Sequence, residues 1–216
     1  LVDFDGDGLL DLVSSSNCCD TTAFHLFRRL KDGSWAPRQR LEITPQDKIA
    51  GLSQGFVTAA DWNGDGKPDL LCERSFGQGI LIALGPLSEK GPITLTQEFD
   101  LTPKSANAAD CWVNGFAIAD WDRDGKPDLL VYRGVRGGKK GIEWRRNLGG
   151  PGFTRLADGK LLVAITDDMN VMGFCAADWN GDRWLDLIVS RCDEPLLNDE
   201  GKHVTWRSRV WVYLRE

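Results

Sequence analysis

The sequence predicts an all-β chain, a β-propeller of four-stranded blades, and three observations point there. An acidic nine-residue segment recurs four times at near-constant spacing, short apolar runs flank the copies, and no segment has a convincing helical period with caps. The 216 residues are 42% hydrophobic and 27% charged, enough to bury a substantial core. No apolar run approaches the roughly 20 residues that a helical bilayer crossing needs, so no membrane span is expected. Lys and Arg number 26 against 32 Asp and Glu, a formal charge of −6 that argues against a nucleic-acid partner.

The repeats run in order. Asp3-Phe4-Asp5-Gly6-Asp7-Gly8-Leu9-Leu10-Asp11 returns as Asp61-Trp62-Asn63-Gly64-Asp65-Gly66-Lys67-Pro68-Asp69. It returns again as Asp120-Trp121-Asp122-Arg123-Asp124-Gly125-Lys126-Pro127-Asp128 and as Asp178-Trp179-Asn180-Gly181-Asp182-Arg183-Trp184-Leu185-Asp186. Apolar runs precede the last three copies (55–60, 115–119, 173–177) and follow all four, so each loop reads as the turn of a hairpin between two buried strands. Third strands are expected at 23–28, 80–84, 142–146 and 209–214, and fourth strands at 36–43, 93–101 and 153–156. The repeats then fall at about 1–54, 55–114, 115–172 and 173–216, one partial propeller over the whole chain. The tryptophans at position two of the loop, with Phe4 as counterpart, are expected to pack between blades.

The loop chemistry is that of a hard-cation site. Side-chain oxygens at positions 1, 3, 5 and 9 with a backbone carbonyl at position 7 make about the ligand number calcium takes, whereas zinc would want nitrogen or sulfur. The expected ligands are Asp3, Asp5, Asp7, Leu9 and Asp11, then Asp61, Asn63, Asp65, Lys67 and Asp69. Asp120, Asp122, Asp124, Lys126 and Asp128 would form the third set, and Asp178, Asn180, Asp182, Trp184 and Asp186 the fourth, for up to four Ca2+ ions. An EF-hand would need a glutamate at position 12, where Ser14, Cys72, Val131 and Val189 stand. A plain polar turn is the alternative, but three or four carboxylates within nine residues repel without a cation. Position six usually wants glycine for its positive φ, and Arg183 stands there in the fourth loop, so that loop is expected to bind calcium most weakly.

These residues, of the form Gly-Phe-x-x-Ala-Asp-Trp-Asn-Gly-Asp-Gly-Lys-Pro-Asp-Leu-Leu, resemble the FG-GAP (VCBS-like) repeat along essentially the whole chain. The family includes the calcium-binding blades of integrin α-subunit propellers and a fungal propeller lectin. The resemblance implies metal loops on the lower face of a propeller, between strands one and two of a blade, and ligands on the opposite face. It leaves function open, since adhesins, lectins and polysaccharide lyases share the architecture.

Leu1 stands immediately before the first loop and Glu216 after a third strand, so strand counts of three, four, four and three are expected. That suggests four consecutive blades of a six- to eight-bladed propeller, completed by blades of a parent chain or by a second copy.

Five residues past each ninth-position aspartate lie Ser16, Arg74, Arg133 and Arg191. Recurring arginines suit carboxylates or phosphates and hence an acidic glycan, or else they pair with Glu73, Asp193 and Glu194. Trp112, with Asn114 and Asp110, is a further ligand-binding candidate in the loop entering blade three, and Asp167, Asp168 and Asn170 stand before blade four. The function expected is a calcium-stabilised binding or adhesion module for a carbohydrate or protein ligand. The alternative is part of a propeller enzyme such as a lyase acting on uronate polymers, with Tyr132 as proton donor or abstractor. Six cysteines beside calcium loops favour a secreted, periplasmic or cell-surface location, and Cys72 and Cys175 are read as buried thiols.

Overall fold

The structure is a computed structural model that describes residues 1–18, 21–44, 56–73, 79–87, 91–101, 110–150, 155–165, 170–197 and 203–215. Among these residues the chain forms strands and no α-helix. The first sheet is β1 (Leu12–Cys18), β2 (Thr21–Phe27) and β3 (Gln39–Leu41), followed by the short β4 (Ile43–Thr44). The second is β5 (Val57–Ala60), β6 (Asp69–Glu73), β7 (Gly79–Ala83) and β9 (Gln97–Asp100), while β8 (Ile93–Thr94) pairs in parallel with β4 and ties the two blades together. The third is β10 (Cys111–Ala119), β11 (Asp128–Val135), β12 (Lys140–Arg145) and β15 (Lys160–Ile165), with β13 (Asn147–Gly149) and β14 (Arg155–Leu156) as a separate ribbon. The fourth is β16 (Asn170–Ala177), β17 (Asp186–Leu197) and β18 (His203–Tyr213). Every pairing within a blade is antiparallel.

Alternation along the second strand of each blade builds the core, because both faces of that strand are covered. In β6, Leu70 and Cys72 join Phe4, Phe24 and Leu26 of blade one, whereas Leu71 joins Leu129 and Val131 of blade three. Leu130 and Tyr132 on the other face of β11 pack with Leu187 and Val189 of blade four. Three apolar layers therefore lie between successive blades.

The position-two aromatics follow this stacking. Phe4, Trp62 and Trp121 are 4%, 0% and 7% exposed in the three layers, while their counterpart Trp179 is 63% exposed on the uncovered face of blade four. At the other end Leu12 is 38% exposed, where its counterparts Leu70, Leu129 and Leu187 are buried against the preceding blade.

Several expected elements move. The fourth strand of blade three is Lys160–Ile165, not 153–156, because the Arg155–Leu156 pair is taken up by Asn147 and Gly149. The expected 36–43 strand narrows to Gln39–Leu41 and the expected 93–101 strand to Gln97–Asp100, the neighbouring residues Ile43, Thr44, Ile93 and Thr94 being used in the β4–β8 link. The strand at 209–214 begins earlier, at His203, paired along a β17 that runs on to Leu197. Trp112 lies within β10 rather than in a loop, and Cys175 is exposed, on the face of β16 opposite to the one that packs against blade three.

Candidate metal loops

Each acidic loop is organised by the same hydrogen bonds. The position-six amide donates to one oxygen of the position-one aspartate in all four: Gly8 to Asp3, Gly66 to Asp61, Gly125 to Asp120 and Arg183 to Asp178, each at 2.9 Å. The other oxygen accepts from position four or five, namely Gly6, Asp65, Asp124 and Gly181. The amides of Leu9, Lys67, Lys126 and Trp184 donate to the carboxylates of Asp7, Asp65, Asp124 and Asp182 at 2.7–3.0 Å. These are Asx-type turns, in which short acidic side chains replace the absent backbone partners of a tight bend.

The ninth-position aspartates form a latch. Asp11, Asp69, Asp128 and Asp186 are almost completely buried, and each accepts from the position-two amide on one oxygen. The other oxygen accepts from the residue just beyond the third strand: Arg29, Gly85, Asn147 or Arg215, at 2.6–2.9 Å. One side chain thus joins the loop, the second strand and the end of the third. Burial pushes the carboxyls of Asp69 and Asp128 above the usual range, and the amides donated to them offset only part of this.

The donor set suits a hard cation in the first and third loops. One oxygen from each of Asp3, Asp5 and Asp11 lies within 4.8 Å of the others, and so do oxygens of Asp120, Asp122 and Asp124. Asp122 Oδ1 is buried with no hydrogen-bond partner, which leaves it available as a ligand. In the second and fourth loops Asn63 and Asn180 supply a neutral oxygen at position three, and their amide groups donate to Asp65 and Asp182. All of these are oxygens, the ligands calcium prefers.

Backbone strain is shared by two loops. Arg183 at position six has φ of 73°, as the sequence suggests, but position four is also left-handed, and there the third loop carries Arg123 at φ 64° where the others have glycine. The third and fourth loops each hold one non-glycine residue in this region, so strain does not single out the fourth. An alignment of the four copies would have shown this, since Gly6, Gly64 and Gly181 stand opposite Arg123.

The arginines expected to recognise a ligand are placed differently. Arg74 lies outside the described residues. Arg133 Nε meets Glu143 Oε1 at 2.8 Å and its Nη1 donates to the Leu101 carbonyl at 2.7 Å, binding blade three to blade two. Arg191 is 8% exposed, with its guanidinium 5.7 Å from the Trp211 ring centre. Trp112 packs edge-on against Tyr132, ring centres 5.0 Å apart, and Tyr132 is itself fully buried. Asp167 and Asp168 lie outside the described residues. Glu73, offered by the sequence as a partner for arginine, is fully buried with neither oxygen hydrogen-bonded. Burial raises its pKa to about 7; the nearby Phe56 amide pulls weakly the other way.

Stacked antiparallel blades of three or four described strands, each carrying a self-organised acidic hairpin loop, define a β-propeller architecture. The FG-GAP-like repeat family matches residues 3–72 and 120–189, and the chain belongs to that family. No curated protein matches the sequence. Among solved structures it is similar to an Agrocybe aegerita lectin described as specifically recognising non-reducing terminal N-acetylglucosamine, with 19% identity and a TM-score of 0.48. That similarity covers 98% of this chain and 56% of the lectin, so the chain spans about half the lectin's length.

Proposed function

We propose that this chain is part of a calcium-stabilised propeller that serves as a binding module in a secreted or surface protein. The observation that carries the reading is the convergence of Asp3, Asp5 and Asp11, and of Asp120, Asp122 and Asp124, together with an Asp122 Oδ1 that is buried and has no hydrogen-bond partner. Calcium would supply charge neutralisation to loops whose nine residues hold three or four carboxylates, and its binding to the folded state alone would contribute about 1.4–2.7 kcal/mol per site at ten to a hundred times Kd. The chain's own residues do the rest. The position-one and position-five aspartates fix the turn, the ninth anchors it to the sheet, and position three sets how much charge the site presents.

A carbohydrate or protein ligand would sit away from these loops, where the second strand turns into the third and repeats differ most. The uncovered faces at Leu12 and Trp179 would be met by further blades of a longer chain or by a second copy. Comparing melting in millimolar calcium with melting in excess chelator tests the metal. A rise of several degrees in calcium, absent with magnesium at equal concentration, supports the proposal, and coincident curves refute it. A glycan array probed with calcium-loaded protein then tests the ligand class, with binding to neutral sugars alone counting against acidic glycans.

A further inference from the structure

The third strands end at Phe27, Ala83, Arg145 and Tyr213, paired with the residue after each ninth-position aspartate, so continuing the register by one residue sets Arg28, Leu84, Arg146 and Leu214 opposite those aspartates. Position three of the corresponding loops reads Asp5, Asn63, Asp122 and Asn180. Arginine accompanies aspartate and leucine accompanies asparagine without exception. The pairs are in contact: Arg146 Nε lies 2.6 Å from Asp122 Oδ2 and its Nη2 3.0 Å from Asp124 Oδ2, while Arg28 Nη1 lies 3.7 Å from Asp5 Oδ2. Position seven, by contrast, reads Leu9, Lys67, Lys126 and Trp184 and does not follow the alternation, so Lys126, which also reaches Asp124, is a separate feature.

We propose that Arg28 and Arg146 are built-in counterions of the first and third loops, holding the extra position-three carboxylate in place so that these loops keep their fold when calcium is absent. Loops with a fourth carboxylate carry one more negative charge, and a fixed guanidinium beside it offsets that charge at short range. Loops with asparagine have no such excess, and an apolar leucine suffices. The arginine also positions. It holds Asp122 through Oδ2, while Oδ1 is buried with no hydrogen-bond partner and so remains available to a cation. Arg28 lines an open cleft of about 990 Å3 between the first and second loops, which leaves it room to shift as a cation enters. The two family matches, 3–72 and 120–189, each contain one loop with aspartate at position three and its arginine, followed by one loop with asparagine at position three, so in charge the repeating unit is a pair of blades.

The inference rests on the calcium reading only for its second readout. The first is a double-mutant cycle in excess chelator. Arg146→Leu is expected to lower Tm by about 3 °C, the scale of a modest interaction in a domain this size. Asp122→Asn in that background is expected to restore most of the loss, since the pair then matches blades two and four. Arg28→Leu with Asp5→Asn gives an independent cycle should the first variant fail to fold. The second readout is the gap between melting in calcium and in chelator, which should widen in Arg146→Leu and narrow again in the double variant. Additive effects at 146 and 122 and at 28 and 5, with no rescue, overturn the proposal. A parent protein with no calcium gap overturns the calcium reading instead, and the chelator cycle still decides the counterion.

Discussion

At the scale of single residues the most unusual group is Glu73, a carboxyl with 0% exposure and no hydrogen bond in an apolar layer between blades. The charged side chains on the facing strands of blade three, Arg133, Glu143 and Arg145, are engaged with one another. With its pKa raised from an ordinary 4.5 to about 7, Glu73 favours the folded state while protonated. That contribution is complete below about pH 4.5 and is lost as pH rises through about 7. Its full size is on the order of 3 kcal/mol. Glu73→Gln is neutral throughout, so in chelator its Tm should match the parent near pH 5 and exceed it by several degrees at pH 8. Parallel Tm–pH profiles for the two proteins would contradict this. Strand parity also accounts for where two of the recurring arginines lie. Their recurrence at one position is real, but strand parity puts Arg133 and Arg191 on the sheet face that packs against the preceding blade, where such side chains find internal partners.

At the scale of elements the loops were legible because every copy spells the same turn chemistry, and the flanking apolar runs located the first and second strands. The fourth strands were not. A fourth strand is the outer edge of a blade, its pairing decided by competition. Arg155–Leu156 is an adequate strand by composition but is taken by Asn147 and Gly149 once the Asn147 amide is latched to Asp128, leaving Lys160–Ile165 to complete the sheet. The arginine–aspartate correspondence was hidden for a similar reason, since the two residues lie 23 or 24 positions apart and only strand register brings them together. Within the loops, the two strained arginines separate cost from compensation. A non-glycine residue in the left-handed region costs about 1–2 kcal/mol. Arg123 recovers part of this by stacking 4.8 Å over Trp184. Arg183→Gly should therefore raise stability by about 1 kcal/mol, and Arg123→Gly should be near neutral. Chemical denaturation in chelator measures both, and a larger gain at 123 than at 183 would reverse the assignment.

At the scale of the whole molecule the four blades are links of a stack whose trailing and leading faces are complementary. Every internal junction buries a position-two aromatic on one side and a position-ten leucine on the other, and the same two groups stand uncovered at the ends, as Trp179 and Leu12. When the 216-residue chain is prepared alone, these faces should meet head to tail. Sedimentation is expected to show concentration-dependent association that Trp179→Asp abolishes, with little change in Tm because no neighbour covers that side chain. A parent chain that stays monomeric at high concentration would show that the end faces do not recognise one another.

The claim on which the rest depends is that the acidic loops hold calcium, and a crystal structure of protein grown with millimolar calcium tests it most directly. Anomalous density should mark an ion in each loop, bonded at about 2.3–2.6 Å to the aspartates at positions one, three and five, or to Asn63 and Asn180 where these replace them. The carbonyls of Leu9, Lys67, Lys126 and Trp184 should complete the shell together with the ninth-position aspartates. Loops that remain free of metal in such crystals, with the hydrogen bonds described here unchanged, would contradict the claim and reduce the four repeats to polar turns.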